Sequence, residues 1–242
     1  CTVGIGIPGF SSKETGLITN ANSLWLNDKP FNKDLEKKLN RTVKLMNDAN
    51  CFTLSEAIDG AGKDYKSVFG VIIGTGFGGG LSYKKEIIEG ANQIAGDWGH
   101  QPLPYPTKEE METKINCPSN NCGRSLCAEQ FMSGIGFANV FNKKNNTNFD
   151  SIKIAELEKQ NDPRADLEFK LYEDRMARLI SVMIGVFDPD VIILGGGMSN
   201  VNRLYKNIPP LLSKYTFSNK VKTKILKNVH GDSSGVRGAA WL

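Results

Sequence analysis

Three groups of residues in this chain have the types and spacing to do chemistry. The first is Asn47-Asp48-Ala49-Asn50, where a carboxylate stands between an apolar segment and a helical pattern. Transfer of a γ-phosphoryl group to an alcohol needs such a carboxylate to accept the hydroxyl proton and aim the oxygen. Asn47 beside it could anchor neighbouring hydroxyls. The same four residues also read as a helix start, because Asn and Asp side chains satisfy the free N–H groups of a first turn.

The second group is Val71-Ile72-Ile73-Gly74-Thr75-Gly76-Phe77-Gly78-Gly79-Gly80-Leu81, which runs a buried-strand pattern into a turn expected to hold five glycines. Backbone N–H groups converging there would form an anion nest suited to the β and γ phosphates of a nucleotide, with Thr75 adding a hydroxyl. It is no Walker loop, since no Gly-Lys-Ser/Thr follows, and no dinucleotide fingerprint, since it does not open a helix. The alternative is a bulged hairpin turn. A second apolar strand, Val191–Leu194, closes on Gly195-Gly196-Gly197. Two such turns together point to a nucleotide held between two halves of the protein and to phosphoryl transfer.

The third group is Gly96-Asp97-Trp98-Gly99-His100 followed by Cys117, Cys122-Gly123 and Cys127-Ala128-Glu129. One imidazole with two or three thiolates suits a closed, tetrahedral, structural zinc site. The alternative is three buried free cysteines.

These groups need elements to hold them. Val3–Ile7 reads as a strand closing on Pro8-Gly9, and Asp34–Leu45 as a short amphipathic helix running into a strand. Ala49–Ala61 has near-helical spacing, so Asp48 sits where a strand feeds a helix. Val68–Ile73 and Gly80–Tyr83 read as a strand pair around the glycine turn, and Gly90–His100 as a loop. The longest helix is expected over Asp166–Phe187, stopping before Asp188-Pro189 because the residue ahead of proline resists the helical conformation. Asn142–Asn148 reads as a short polar loop. Alternating strands and helices make the fold class α/β.

Composition narrows the field. With 242 residues, 40% hydrophobic and 23% charged, the chain can bury a substantial core, and no apolar run approaches the ~20 residues of a membrane helix. The net charge is +4, but the lysines are dispersed without interleaved aromatics, which reads as solvated faces and not as a nucleic-acid surface. Five cysteines, three of them within Cys117–Cys127, fit a metal site in a reducing compartment, hence the cytoplasm, better than a disulfide framework. The chain opens on Cys1, with the pattern of a domain interior and no signal-peptide features, so an N-terminal segment is expected to be missing.

Together these residues resemble the ROK family of sugar kinases and sugar-responsive repressors. Gly4-Ile5-Gly6-Ile7-Pro8-Gly9, Asn47–Asn50, Gly74–Gly80, Gly96–His100, Cys122–Glu129 and Leu194–Gly197 fall in the family's order and cover nearly the whole chain. The stretch from His100 to Cys122 and the ending Gly235-Val236-Arg237-Gly238-Ala239-Ala240 look like the branch that phosphorylates N-acetylglucosamine.

The resemblance implies an actin-like, ribonuclease-H-like pair of lobes closing on MgATP and sugar. The first lobe, incomplete here, would comprise residues 1–53 completed by a C-terminal helix at 233–242, and the second residues 54–232 with the zinc loop. Asp48 would be the general base on the sugar 6-hydroxyl. Asn47, Asp97, His100 and Glu129 match sugar-contacting positions, Gly74–Leu81 the second phosphate loop, and Gly195–Gly197 the turn near the adenosine. His100, Cys122 and Cys127 match zinc ligands, the zinc bracing the loop that presents His100 and Glu129. The implied activity is ATP-dependent phosphorylation of N-acetylglucosamine at O6 by a homodimer without membrane or nucleic-acid partners. Other ROK hexokinases, acting on glucose, fructose or N-acetylmannosamine, share the pattern, as do sugar-sensing regulators.

Three departures from the family pattern stand out. Its opening Asp-x-Gly-Gly-Thr phosphate loop is absent, so this polypeptide alone is expected to be inactive. Asn120 occupies the first place of the usual Cys-x-Cys, so either Cys117, three residues earlier, or Asn120 completes the zinc site, or the site is weakened or lost. Asp97 stands where the family usually has Glu, one methylene longer.

Overall fold

A computed structural model describes residues 1–113, 115–119 and 122–242. In chain order the elements are β1 (Val3–Ile7), β2 (Phe10–Ser11), β3 (Ile18–Thr19), α1 (Phe31–Leu39), β4 (Val43–Asn47), α2 (Asp48–Ile58), β5 (Ser67–Ile73), β6 (Phe77–Tyr83) and β7 (Glu86–Ile87). There follow α3 (Lys108–Glu112), α4 (Ala128–Met132), α5 (Gly134–Asn145), α6 (Ser151–Lys159), α7 (Pro163–Val186), β8 (Val191–Gly195), α8 (Arg203–Tyr215), β9 (Lys224–Lys227) and α9 (Ser234–Ala240). None of the described helices is long and apolar enough to cross a membrane.

Strand β1 pairs in parallel with β4, from Val3 opposite Val43 to Ile7 opposite Asn47, and β2 with β3 forms a small antiparallel hairpin. The larger sheet has the order β7-β6-β5-β8-β9, antiparallel from β7 to β5 and parallel from β5 to β9. One face of this sheet carries the main core. Phe69, Val71 and Ile73 of β5 and Ile192 and Leu194 of β8 pack with Phe131, Phe137, Phe141, Phe169 and Tyr172 of the helices that follow. A smaller core of Ile7, Ile18, Ala21 and Leu26 lies at the first sheet.

Helix α2 ties the parts together. Its residues from Ala49 to Ala57 are all buried, as befits a helix enclosed on every side. It packs against β5, β6 and α9. Glycines make the approach possible: a Cβ on Gly70 would lie 2.1 Å from Thr53 Oγ1, and one on Gly238 of α9 would lie 1.7 Å from the Cys51 carbonyl oxygen. At the far end of α2 the buried Glu56 accepts hydrogen bonds from the N–H groups of Ala61 (3.0 Å) and Val229 (3.1 Å) and from Ser234 Oγ (2.8 Å), fixing the start of α9. Helix α9 in turn packs on β1.

Most expected elements are present, with three corrections. The glycine turn is only Gly74-Thr75-Gly76; Gly78, Gly79 and Gly80 belong to β6, whose pairing with β5 runs down to Ile73 opposite Phe77. Residues Asn142–Asn145 close α5 and are not loop; Asn142 Oδ1 accepts from the Phe149 N–H at 2.8 Å, turning the chain after the helix. The long helix begins at Pro163 and not Asp166, because Asp162 caps it and proline suits a first helical position. Helix α8 escaped notice because Pro209 and Pro210 lie inside it, although Leu204, Ile208 and Leu212 are buried at four-residue spacing.

Candidate active site

The end of β4 and the start of α2 set the site's first wall. Asn47 is the helix cap: its Oδ1 accepts from the N–H groups of Ala49 (3.0 Å) and Asn50 (3.2 Å), while its Nδ2 donates to the Gly9 carbonyl at 3.2 Å. The capping reading therefore holds for Asn47, and little of its amide is left for other work. Asp48 differs. Its Oδ1 accepts from the Ala49 N–H at 2.8 Å, and no cation pairs with it among the described residues. The carboxylate is exposed to the cleft it lines. Desolvation by the surrounding protein pushes its pKa above the ordinary carboxylate value, opposed by its backbone hydrogen bonds and reinforced by the charge of Asp97.

That cleft has a volume of about 730 Å³. Pro8, Gly9, Phe10, Thr19–Asn22, Asn27 and Asp28 form one side; Gly74–Gly79, Gln93–Ala95, Asp97, His100, Arg124 and Glu129 form the other. The Thr19–Asn22 side keeps its shape through Asn27, whose amide accepts from the Ala21 N–H at 2.9 Å and donates to the Ala21 carbonyl at 3.0 Å. Of the residues expected to line it, Asn47, Asp48, Asp97, His100 and Glu129 all do, together with Gly74 to Gly79.

Gly80 and Leu81 do not line the cleft. A Cβ on Gly80 would lie 2.6 Å from Asn50 Oδ1, so this glycine lets α2 settle on β6, and Leu81 is a core residue. Gly79 serves the same close approach toward the carbonyl oxygens of Gly70 and Gly96. No residue of the Gly74–Gly76 turn has a left-handed φ, so the expected nest of alternating conformations is absent. Two of the neighbouring N–H groups are already used: that of Gly74 donates to the Gly76 carbonyl at 3.0 Å, and that of Phe77 to Glu129 Oε2 at 3.1 Å. The donors left facing outward are the N–H groups of Thr75 and Gly76 and the Thr75 hydroxyl.

A second pocket of about 1220 Å³ opens on the other side of the same turn. Gly74 and Thr75 line it, with Gly134, Ile135, Ala138 and Asn139 of α5 and Gly197, Met198 and Asn200 after β8. Gly195 and Gly196 shape this pocket without lining it. A Cβ on Gly195 would strike the Phe52 ring at 2.4 Å, and Gly196, at φ +79°, lies so close that a Cβ would meet the Ile73 carbonyl at 2.6 Å. Gly74 and Thr75 thus form a thin wall between two cavities.

His100, Cys117, Cys122 and Cys127 converge, their ligand atoms all within 4.8 Å of one another. Asn120, the other position considered for this set, lies outside the described residues. Tetrahedral zinc with bonds of ~2.0–2.3 Å needs ligand atoms roughly 3.5–3.8 Å apart, so the set fits with small adjustments. Among the described residues His100 Nδ1 is buried without a hydrogen-bond partner, as a ring nitrogen reserved for another role would be. Burial pushes the Cys117 and Cys127 thiols up, so a divalent cation would be needed to hold them as thiolates. Glu129 links the cluster to the glycine turn, since its Oε1 accepts from Cys117 Sγ at 3.6 Å while Oε2 holds the Phe77 N–H. The Glu129 N–H donates to the Gly99 carbonyl at 2.8 Å, tying α4 to the loop of His100.

The sequence profile of the ROK family matches residues 1–242. The N-acetyl-D-glucosamine kinase of Vibrio cholerae serotype O1 is 38% identical over 241 residues, covering 100% of this chain and 80% of that protein. The chain belongs to the ROK family. Among solved ROK structures, a hexokinase from Thermus thermophilus superposes with a TM-score of 0.83 at 24% identity, covering 98% of this chain and 76% of that one. A ROK glucokinase from Streptomyces griseus, in complex with glucose and AMPPNP, does so with a TM-score of 0.82 at 23% identity, covering 99% and 80%. The fold is therefore the actin-like fold of ROK sugar kinases.

Several lining residues of this ROK chain escaped the sequence reading. Asn20, Asn22, Asn27 and Asp28 crowd one short stretch, a density of amides that could have flagged a polar binding wall. Nothing in the sequence flagged Asn139 or Ile135, which reach the second pocket only through the packing of α5.

Proposed function

We propose that this chain is the body of an ATP-dependent kinase that phosphorylates N-acetyl-D-glucosamine at O6. One observation carries the reading: the Gly74–Thr75 turn lines both the cleft holding Asp48 and the second pocket. A hydroxyl acceptor on one side and a nucleotide on the other would meet there, which is the arrangement an in-line transfer requires. The relatives' names specify the sugar within that arrangement.

In this reading the sugar lies between the Thr19–Asn22 wall and Asp97, His100 and Glu129, and the adenosine lies against α5 and Gly197. Asp48 accepts the O6 proton; its raised pKa makes it a better base than an ordinary carboxylate. The Thr75 hydroxyl and the N–H groups of Thr75 and Gly76 hold the transferring phosphoryl group. MgATP supplies that group, the magnesium neutralising charge between the phosphates. Asn47 acts by fixing the angle at which α2 presents Asp48, more than by touching sugar.

His100, Cys117, Cys122 and Cys127 hold structural zinc, which would stiffen the loop carrying His100 and, through the bond from the Glu129 N–H to the Gly99 carbonyl, the position of Glu129. The lobes divide into residues 1–53 with 233–242 and residues 54–232, and α2 runs unbroken across the division. Five free thiols and a need for ATP accord with a protein working in the cytoplasm.

The test is ADP release by a polypeptide carrying this chain, measured across a panel of hexoses. N-acetylglucosamine should give the highest kcat/KM. A higher value for glucose or N-acetylmannosamine would reassign the sugar, and sugar-independent ADP release alone would remove the kinase reading.

A further inference from the structure

Across the mouth of the cleft, one side chain joins its two sides. Gln93 Nε2 donates to the Ser11 carbonyl at 2.9 Å, and Gln93 Oε1 accepts from the Lys13 N–H at 3.1 Å. A carboxamide offers a donor and an acceptor side by side, so Gln93 engages this backbone as a neighbouring strand would. Beside it Lys13 Nζ lies 2.5 Å from Glu89 Oε2. Ser11 ends β2 of the hairpin on one side of the cleft, and Gln93 stands in the loop on the other, itself lining the cavity.

The backbone of Gln93 is in the left-handed region, at φ +58°. Glycine occupies that region without steric cost, whereas a residue with a Cβ does not. A side chain kept at such a position, at the rim of a binding cleft, is a cost tolerated for what the side chain does. What it does here is close the two bonds to Ser11 and Lys13.

We propose that Gln93 is a latch that retains the bound sugar. It holds the β2–β3 hairpin against the loop of Asp97 and His100, and the cleft opens for release only when both amide bonds break. The proposal rests on reading the Asp48 cleft as the sugar site. Gln93 acts through the hairpin backbone and is a positioning residue, so its loss should speed sugar release and raise KM while kcat at saturation changes little. Gln93→Glu should behave similarly, because a carboxylate can still accept from Lys13 but is repelled by the Ser11 carbonyl.

The experiment measures N-acetylglucosamine release by stopped-flow fluorescence, with a thermal melt, for the wild type, Gln93→Gly and Gln93→Glu. Gln93→Gly should release sugar about tenfold faster, the scale of two partly solvated hydrogen bonds. Its melting temperature should be unchanged or higher, since glycine relieves the left-handed backbone. A Gln93→Gly protein with the wild-type release rate overturns the latch, and so does one whose faster release comes with a lower melting temperature, which would make Gln93 a fold determinant. A wild type that binds no N-acetylglucosamine overturns the sugar-site reading and the latch with it.

Discussion

Asp48 and Glu110 are both carboxylates in the first turn of a helix, and their surroundings drive them in opposite directions. Glu110 is buried against two equally buried arginines, with Oε1 2.8 Å from Arg175 Nε and 2.6 Å from an Arg178 nitrogen. Its Oε2 accepts from the Thr107 N–H at 2.9 Å, completing a capping box. Burial alone would raise its pKa, but Arg178, Thr107 and Arg175 outweigh it and hold it at about 2. Asp48 is exposed at the cleft wall, partly desolvated by the protein around it, with no cation and with a second carboxylate nearby. A fully paired carboxylate stabilises a fold; one left unpaired at the wall of a cleft costs stability and is kept reactive.

The contrast is broken most severely at Asp48. Asp48→Asn should lower turnover by about 10³-fold or more while N-acetylglucosamine affinity and melting temperature stay near wild type, which ADP release and calorimetry would check. Glu110→Ala should do the reverse. It removes one carboxylate from Arg175, which keeps Glu168, and one from Arg178, which keeps Asp174 and the Pro104 and Tyr105 carbonyls, and should cost ~3 kcal/mol of stability in denaturant unfolding, with substrate affinity little changed in the protein that remains folded.

The pH dependences separate the two further. Glu110 has a folded pKa of about 2 against an ordinary 4.5. Its contribution is therefore complete above pH 4.5 and is lost as pH falls toward 2, and Glu110→Gln should flatten the acid limb of the stability curve there. Asp48 works as a base only when ionised, so kcat/KM should fall on acidification at a pH above the ordinary carboxylate range. Asp97→Asn removes a neighbouring charge that helps raise Asp48, so that acid limb should move to lower pH.

How much of this was legible in sequence depended on whether a residue acts through its neighbours in the chain or through distant packing. Asn47 and Asp48 were legible because capping and strand-to-helix chemistry are local. The cluster of His100 with Cys117, Cys122 and Cys127 was legible because few side chains offer those donors. The glycine run was only half legible: its composition marked a special stretch, but Gly79 and Gly80 are small so that the Gly96 loop and α2 can lie on β6, a demand made by residues far away. The Glu110–Arg175–Arg178 group was invisible for the same reason, joining positions more than sixty apart. Metal release should test the legible part: a chromophoric chelator should free one zinc per chain, and Cys117→Ser should speed that release.

A crystal structure with N-acetylglucosamine and a non-hydrolysable ATP analogue bound together would test the shared wall most directly. The account predicts the sugar O6 within about 3 Å of the Asp48 carboxylate, with the terminal phosphate at Thr75 and Gly76 and the adenosine against α5. A sugar whose O6 points away from Asp48, or a nucleotide lodged anywhere but across the Gly74–Thr75 turn, would contradict it.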